Sequence, residues 1–355
     1  MIEIRTYDGD VADAAGLIDR VWRQRYAGSA WAPFWRADCL RWQFFSDHDA
    51  DGDLHLGAYS DAELVGCLFV RRATYVVQGR ATDAAYGSCL TVDPAVGSGE
   101  LGLALVDEAR RRLVERRVAF MLGYVNGDPR TPANRFWMLY GRTYPGCLHL
   151  VRRLGYWVCA LDPGVIRRAA PGLFERVAAA LRSFVPLRPG AERLQPGVRP
   201  YAASDLARCA RLITDASAES DLAQRFPVER LGAQLEWNHY PRTLVHDSPG
   251  EPFGFVNFHA FDLLGRDIVR TGLIDFLLAE GRSQRVLRRL LRSAVGLMAR
   301  DGAALSMIMR SYLLSAGVML SCGFVPVPES DHLVVVAADP TMQPPVARRP
   351  VTLFR

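Results

Sequence analysis

The sequence predicts a protein of the α/β class (α+β mixed sheet) with two tandem domains, each a twisted mixed β-sheet flanked by helices. Its 355 residues are too many for one ordinary core, because a domain usually holds roughly 100–200 residues. The predicted order strand, helix, hairpin, strand, helix, strand, helix, strand occurs twice along the chain. A long internal repeat of this kind indicates duplicated structural units.

Both halves open with a similar segment. Residues 4–18 read IRTYDGDVADAAGLI and residues 198–213 read VRPYAASDLARCARLI. Each begins as a strand and passes through a turn into a helix, where an Asp or Ser side chain can accept hydrogen bonds from unpaired N–H groups. A hairpin follows in each half, at 56–70 and at 244–258.

The second part of each half predicts a strand–helix–strand unit. Residues 86–92 and 272–278 are apolar strands, and each leads into an amphipathic helix and a further apolar strand. Each half then reaches a predicted helix that ends at a glycine–aromatic pair, at 155–156 or 323–324, before a final strand.

The repeat and the prolines predict the domain boundaries. The N-terminal domain covers residues 1–161 and the C-terminal domain covers residues 198–339. Residues 162–197 contain several prolines and form a linker with one short Ala/Leu/Arg helix. Residues 340–355 are a proline-rich tail or an edge strand.

Composition and charge limit the classes of function. The chain has no lysine, so all 43 basic residues are arginine. A lysine Schiff base with pyridoxal phosphate and a GxxxxGK[ST] phosphate loop are therefore excluded. The net charge of +5 suits an anionic small ligand at least as well as nucleic acid, and the arginine-rich stretches fit solvated helix faces. We therefore expect no nucleic-acid partner.

Targeting signals and cysteine usage favour a cytoplasmic protein without a membrane partner. No apolar run approaches the roughly 18 residues that span a bilayer, and the N-terminus does not resemble a secretory signal. The seven cysteines are odd in number and none has CxxC spacing, which is typical of reduced thiols in a core. The seven histidines show no ligand spacing, so we predict no metal site.

A turn rich in small residues precedes the long helix of the first half. A helix N-terminus offers unpaired N–H groups and partial positive charge, and small residues let the backbone approach phosphates. The G-x-G-x-x-G spacing also matches the dinucleotide fingerprint, but the next strand ends without the carboxylate that a Rossmann site requires. The candidate binding residues in this turn are Val92, Gly97, Ser98, Gly99, Leu101 and Gly102.

This element order resembles the GNAT acetyltransferase superfamily, most clearly across residues 92–105. The family pattern is a strand ending V-x-P, then [RQ]-x-x-G-x-[GA], then a helix, and its backbone N–H groups bind the pyrophosphate of coenzyme A. Here Gly97 replaces the leading Arg or Gln and Glu100 replaces the next glycine, while Gly102 keeps its place. The resemblance implies an acyl-donor loop, with a Rossmann loop and a plain turn as the alternatives.

The second half departs from the family pattern in another way. Its loop reads RSQRVL over residues 282–287, so the leading Arg282 is kept and both glycines are lost. A pyrophosphate needs close backbone approach more than it needs one side-chain cation. The resemblance therefore predicts one acyl-coenzyme A per chain, bound to the first half between its two central strands.

Acyl transfer to an amine needs a base for the ammonium proton and an acid for the thiolate. GNAT-like enzymes often place a Glu on the strand before the loop, where the first half has Ser88 and Cys89 and the second half has Asp275. An Asp inside an apolar strand is costly unless it is paired. Asp275 is therefore either a general base or a structural carboxylate bound to an Arg or a backbone N–H.

The family's usual acid is a Tyr four residues before the glycine of the terminal glycine–aromatic pair. Val151 and Met319 occupy those positions here, so Tyr124 and Tyr144 are the candidates to replace it. Asn126 resembles the family residue near the pantetheine arm, and a turn at the end of the strand is the alternative.

An aromatic-rich region lies between the first helix and the hairpin, where the family usually forms the acceptor side. The sequence predicts an N-acyltransferase, and foremost an N-acetyltransferase, that moves an acyl group from acetyl-coenzyme A or another acyl-coenzyme A to a small amine. Two alternatives stay open. One is an enzyme of the same fold that uses an acyl carrier protein thioester, and the other is a non-catalytic binding or scaffold protein.

Overall fold

The computed structural model describes residues 1–46, 52–172, 194–238 and 240–351, with nine α-helices and nineteen β-strands in those ranges. The short Ala/Leu/Arg helix predicted in the linker lies outside them. The helices are α1 (Val11–Tyr26), α2 (Ala37–Phe44), α3 (Ser98–Glu115), α4 (Pro132–Thr143), α5 (Pro163–Ala169), α6 (Leu206–Ala218), α7 (Val228–Leu235), α8 (Gln284–Arg300) and α9 (Ala316–Ser321).

The strands are β1 (Ile2–Thr6), β2 (Ala32–Phe34), β3 (Leu56–Ser60), β4 (Glu63–Val77), β5 (Arg80–Val92), β6 (Phe120–Asn126), β7 (Leu148–Leu154), β8 (Tyr156–Ala160), β9 (Val198–Pro200), β10 (Leu222–Arg225), β11 (Pro241–His246), β12 (Gly254–Ala260), β13 (Asp262–Leu264), β14 (Ile268–Val269), β15 (Thr271–Ala279), β16 (Leu305–Met309), β17 (Val325–Pro326), β18 (Asp331–Ala337) and β19 (Pro350–Val351).

Two large mixed sheets repeat one topology. The first has the order β1-β3-β4-β5-β6-β18-β7, and the second, read from its opposite edge, has the order β9-β11-β12-β15-β16-β8-β17. Position by position, these are corresponding strands of the two predicted repeats. The predicted fold class, two tandem domains with mixed sheets, is confirmed.

The last strand of each repeat lies in the sheet of the other repeat. β8 follows the first repeat in the chain, yet it pairs with β16 and β17 of the second sheet. β18 follows the second repeat, yet it pairs with β6 and β7 of the first sheet. Hydrogen bonding therefore crosses the predicted boundaries at 161 and 198, which remain a prediction.

Smaller pairings also join the two halves. β2 pairs with β13, and β10 pairs with β4. At the C-terminal end, Pro350 and Val351 pair with Leu222 and Ala223 as a short parallel edge strand. The assignment of residues 340–355 as a proline-rich tail or an edge strand stays a prediction.

Each sheet has two differently covered faces. On the first sheet, β6 alternates so that Phe120 and Leu122 enter one core cluster while Met121 enters another. The Met121 face is covered by α3 and α4, and the Phe120 face by α1, α2 and residues of the second half such as Leu273 and Met307. We call this second face, which is shared by both halves, the junction face. Period-two alternation on a sheet covered on both sides produces this division.

Contrary to the sequence prediction, the last helix of the first repeat does not end at the glycine–aromatic pair. Residues 148–154, expected to end a helix at Gly155, form strand β7, and the helix of this unit is α4, which ends at Thr143. In the second half, α9 does lead directly to the glycine–aromatic pair Gly323-Phe324. The first repeat therefore carries an extra strand's length between its last helix and its glycine–aromatic pair.

Candidate functional site

The two central strands of the first sheet separate at the middle of the sheet. β5 runs parallel to β6 over only two residue pairs, the last of which joins Tyr86 to Leu122. β5 then carries a one-residue bulge, where Cys89 adopts φ +60°. Residues 87–92 and 123–126 therefore border an opening between the strands, which we call the first splay.

Helix α3 begins at the end of the first splay. Val92, 7% exposed, ends β5, and a short turn leads to Gly97, which precedes the helix with φ +84° and ψ +98°. The N-cap residue of α3 is thus a glycine, which has no side chain to cap the helix. Gly97 and Gly99 are exposed, and a Cβ atom at either would meet nothing within 4 Å. The backbone of Ser98 and its neighbours thus presents the positive end of an eighteen-residue helix to solvent.

The other two residues of this turn have packing roles. Leu101 is 7% exposed and belongs to the core under α3. A Cβ atom at Gly102 would lie 2.8 Å from Cε2 of Phe136 on α4, so close contact between the two helices requires a glycine there. The G-x-G-x-x-G spacing therefore combines open loop positions with a helix-packing position.

Helix α1 bridges the first splay on the junction face. The indole Nε1 of Trp22 donates to Oγ1 of Thr91 near the end of β5, at 2.9 Å. One turn later, the ring of Tyr26 lies 5.9 Å from that of Trp22. Burial raises the pKa of Tyr26, and a hydrogen bond with the backbone of Ala133 on α4 partly offsets that rise. α1 thus connects the strand on one side of the opening to the helix that follows β6.

A tyrosine–aspartate pair lies beside the first splay. Asp331, at the start of β18, is the sheet partner of Asn126, and its Oδ2 accepts a hydrogen bond from the Tyr156 hydroxyl at 2.6 Å. Burial raises the pKa of Asp331 to about 6, and the hydrogen bond from Tyr156 partly offsets that rise. Burial, and then the Asp331 charge, raises the pKa of Tyr156 far above its ordinary value. This carboxyl group can gain or lose a proton near neutral pH.

Of the predicted site residues, Tyr124 lies nearest this pair. It is opposite Leu333 of β18, packs against the junction-face core that includes Tyr156, and contributes to the raised pKa of Tyr156. Tyr144 packs on the opposite face of the sheet, with its ring centroid 4.9 Å from that of the fully buried Tyr140. The structure therefore brings Tyr124, and not Tyr144, to the junction side of the first splay.

Sequence reasoning missed Tyr156 and Asp331 as functional candidates. Tyr156 was interpreted only as the aromatic residue of a glycine–aromatic pair, and Asp331 lies at an ordinary turn-to-strand boundary. The strands that carry them belong to different repeats and meet because each lies in the other repeat's sheet. No local sequence signal marks this pair.

Asn126 ends β6 in a turn. Its Oδ1 accepts the backbone N–H of Asp128 at 2.8 Å, and its own carbonyl oxygen accepts Nδ2 of Asn134 at 3.1 Å. This is the strand-ending turn that was the alternative to a binding role. Asn126 nonetheless borders the first splay, so both roles are compatible with its position.

In the second sheet, Asp275 lies at a bulge of β15 that corresponds to the bulge at Cys89 in β5. It is the extra residue of a bulge in β15, and its side chain is 1% exposed. Its Oδ2 lies 3.0 Å from Nδ1 of His259 and accepts Nε2 of Gln234 at 2.8 Å. A histidine and an amide thus contact this carboxylate, and its role as a base or as a structural group stays a prediction.

The Asp275 network reaches a cavity between the two halves. Gln234 lines this cavity, and so does Trp42, whose ring lies 4.8 Å from that of His259. The cavity has a volume of about 240 Å³, and we call it the junction cavity. Its lining residues are Trp42, Gln43, Ser46, Arg71, Arg72, Ala73, Thr74, Asp83, Ala84, Tyr86, Gln224, Arg225, Phe226, Pro227, Arg230, Ala233 and Gln234.

The second sheet has its own opening between strands, and different types of side chain line it. β15 and β16 pair as far as Ile274 and Ile308 and then separate. The cavity beyond them, about 60 Å³, is lined mainly by apolar side chains and includes Pro350 and Val351 of the C-terminal segment. We call this opening the second splay.

The arginines near the start of α8 are engaged in ion pairs. A guanidinium nitrogen of Arg282 lies 2.7 Å from a carboxylate oxygen of Glu219, and one of Arg285 lies 3.2 Å from Glu251. These are the two cations through which the second half could have held a donor. Both face a carboxylate from the same chain.

Other chemistries find little support in the part of the chain that the structure describes. There, no group of three or more His, Cys, Asp or Glu residues is arranged to hold a metal ion. No helix within the same ranges is long and apolar enough to cross a membrane. All seven cysteines are buried, as predicted for core residues, and burial raises the pKa of the Cys89 thiol well above its ordinary value.

Solved structures share this architecture. N-myristoyltransferase from Saccharomyces cerevisiae with bound myristoyl-CoA aligns over 100% of this chain and 89% of its own, with a TM-score of 0.74 and 15% identity. A GCN5-related N-acetyltransferase from Kribbella flavida aligns over 94% of this chain and 71% of its own, with a TM-score of 0.52 and 16% identity. One from Anabaena variabilis aligns over 94% and 72%, with a TM-score of 0.51 and 10% identity.

Sequence comparisons add no further relatives. No family model matches the chain, and no curated protein matches it by sequence. The structural matches, all at low identity, establish the fold.

Proposed function

We propose that this chain, which has the tandem GNAT fold, is an N-acyltransferase and binds acyl-coenzyme A in the first splay. The observation that carries this proposal is the open gap between β5 and β6, which ends at an exposed, uncapped helix N-terminus. The solved N-myristoyltransferase of the same fold holds myristoyl-CoA.

The donor site in this proposal divides into contact and support residues. The backbone of Gly97, Ser98 and Gly99 receives the pyrophosphate, because these N–H groups lie at the positive end of α3. Leu101 and Gly102 hold α3 against the core and against α4. The pantetheine arm passes between Val92 and Asn126, where the strands have separated and backbone groups can bond to it.

Proton transfer in this proposal uses the pair beside the splay. The incoming amine must lose a proton as its nitrogen bonds to the thioester carbon, and a carboxylate with a pKa near 6 is matched to that task at neutral pH. Asp331 accepts this proton, Tyr156 orients Asp331, and Tyr124 donates a proton to the departing thiolate. Asp275 is proposed to position Gln234 at the wall of the junction cavity and His259 against Trp42, which also lines it.

A short acyl chain fits the surroundings better than a long one. A long chain needs an apolar channel, since burying each methylene contributes about 0.8 kcal/mol only where the lining is apolar. The junction cavity, which begins at Tyr86 where the splay begins, is lined by four arginines. We therefore propose acetyl-coenzyme A as the first donor to test, with a small amine as acceptor.

Titration calorimetry with coenzyme A, followed by thiol-release assays with acetyl-CoA and a panel of amines, tests the proposal. We expect one coenzyme A per chain and turnover with at least one amine. Binding without turnover of any acetyl- or myristoyl-CoA pair would favour a binding protein. Absence of binding would leave a scaffold, or an enzyme that accepts only a carrier-protein thioester, which acetyl-carrier protein as donor would reveal.

A further inference from the structure

The described lining of the junction cavity carries mostly positive charge. Among the described residues that line it, four are arginines and one is an aspartate, Asp83. Its volume of about 240 Å³ is below the roughly 300–1,000 Å³ of pockets for drug-sized ligands. The size suits a metabolite of amino-acid dimensions rather than a long peptide or cofactor.

The guanidinium groups come from both halves of the chain. Arg71 and Arg72 lie on β4 of the first sheet, whereas Arg225 ends β10 and Arg230 lies on α7 of the second half. Arg71 is 8% exposed, and its Nη1 donates to the carbonyl oxygen of Gln43 and to the Tyr86 hydroxyl. These contacts fix its position at the cavity wall before any ligand arrives.

The cavity also has an uncharged polar side. Gln234 and Tyr86 line it, and Gln234 is held by the buried network of Asp275 and Asn257. Tyr86 is both a lining residue and the last residue of β5 that pairs with β6. A molecule in the cavity therefore lies against the start of the first splay, on the junction face.

We propose that the junction cavity binds the amine acceptor and recognises an oxyanion on it, a carboxylate or a phosphate, through these arginines. Guanidinium groups present fixed pairs of N–H donors that match the two oxygens of such groups. The identification of the ligand as an acceptor rests on the proposed acyltransferase function. The anion site itself does not depend on that function. The acceptor class is then small amines with an acidic group, such as amino acids or amino sugar phosphates.

The test compares two double variants with the same change of charge. Arg72→Gln with Arg225→Gln alters one partly exposed and one exposed arginine of the cavity. Arg167→Gln with Arg168→Gln alters two exposed arginines on α5, which do not line the cavity, and serves as the control. Both are titrated calorimetrically with acetate and with inorganic phosphate, so that the two oxyanions are compared directly.

We expect the cavity variant to bind its preferred oxyanion at least about tenfold more weakly than the control, as for a lost charge-assisted hydrogen bond. In thiol-release assays with acetyl-CoA, free amino acids should have at least about tenfold lower KM than their matched carboxamides, or aminoalkyl phosphates should have lower KM than the parent amino alcohols. This preference should vanish in the cavity variant and persist in the control.

Equal oxyanion binding by the two variants would overturn the anion site. Equal KM values for acidic and neutral amines, in a protein that does turn over acetyl-CoA, would overturn the acceptor class and leave the proposed function standing. Selective loss of oxyanion binding without any acyl transfer would support the site and count against the proposed function.

Discussion

The first and second splays share one topology and differ in what occupies them. Both lie where the parallel central strands separate, and both lie beside a bulge, marked by Cys89 in β5 and by Asp275 in β15. The first leads to an exposed, glycine-containing helix start. The second is lined by the apolar side chains around Pro350 and Val351, and the nearby arginines face carboxylates of the same chain.

This difference shows how a duplicated fold can specialise. A helix N-terminus attracts an anion only while its backbone groups are accessible. In the second half, branched and long side chains replace the glycines, and intramolecular ion pairs engage the cations. The two copies therefore share one topology, while the first keeps a glycine-containing helix start and the second has arginines held in ion pairs.

The largest expected effect distinguishes the roles of two buried carboxyl groups, those of Asp331 and Asp275. Asp331→Asn should lower kcat by at least about a hundredfold, the usual range for loss of a general base. The Tyr156 hydroxyl can still donate to the amide oxygen, so the variant should fold. Asp275→Asn should keep kcat within about threefold and instead lower the free energy of unfolding by about 1–3 kcal/mol, because hydrogen bonds to a buried charge are lost.

Steady-state thiol-release assays and denaturant unfolding on both variants provide the measurement. If Asp275→Asn were the variant that lost turnover while keeping its stability, the base would belong to the second half, and the comparison between the splays would be reversed.

A smaller effect is expected at the two helix starts. Gly99→Val places a branched side chain at a position where an added Cβ atom would meet nothing within 4 Å, so the fold should tolerate the substitution. Coenzyme A affinity should fall by about tenfold or more, because the side chain blocks backbone hydrogen bonds to a charged group. Gln284→Val, at the aligned position and the first residue of α8, is the matched control and should leave the affinity unchanged. Equal affinity losses in both, measured by calorimetry, would argue against a single donor site.

The smallest effect concerns pH. The folded-state pKa of Asp331 is raised to about 6 from an ordinary 3.8, so the protonated form is favoured in the folded protein. Its contribution to stability is full below pH 3.8 and is lost as the pH rises through 6, on the order of 3 kcal/mol. Activity should change in the opposite direction and rise through the same interval, since the base must be ionised.

Tyr156→Phe sharpens this pH prediction. The Tyr156 hydrogen bond lowers the pKa of Asp331, so its removal should move the activity midpoint to higher pH by less than about one unit. Asp275→Asn should leave the midpoint where it is. A pH–rate profile of the three proteins decides this, and a midpoint that follows Asp275 instead would contradict the assignment.

The repeat made much of the fold predictable. The hairpin predicted at 56–70 is present, with Asp61 and Ala62 at positive φ in its turn between β3 and β4. The long helices α3 and α8 lie where the amphipathic periodicity placed them. Period and turn chemistry act locally, so they are readable from a single sequence.

The exchange of final strands was not predictable in this way. β8 and β18 are both short apolar strands, and either could pair with any exposed strand of either sheet. Only tertiary packing selects the partner, so the pair formed by Tyr156 and Asp331 had no local signature. The role of Gly102 was hidden for a similar reason, since Phe136, which requires the glycine, is thirty-four residues away on another helix.

The exchanged strands also govern when the protein can finish folding. β6 pairs with β18 across about two hundred residues of chain, so the first sheet stays incomplete until almost all of the chain has been synthesised. Long-range pairings of this kind slow folding, and strands without their partners are prone to pair with other molecules. During synthesis, an isolated first half would expose β6 and β7 as unpaired edges, which makes it a natural client for chaperones that protect nascent strands.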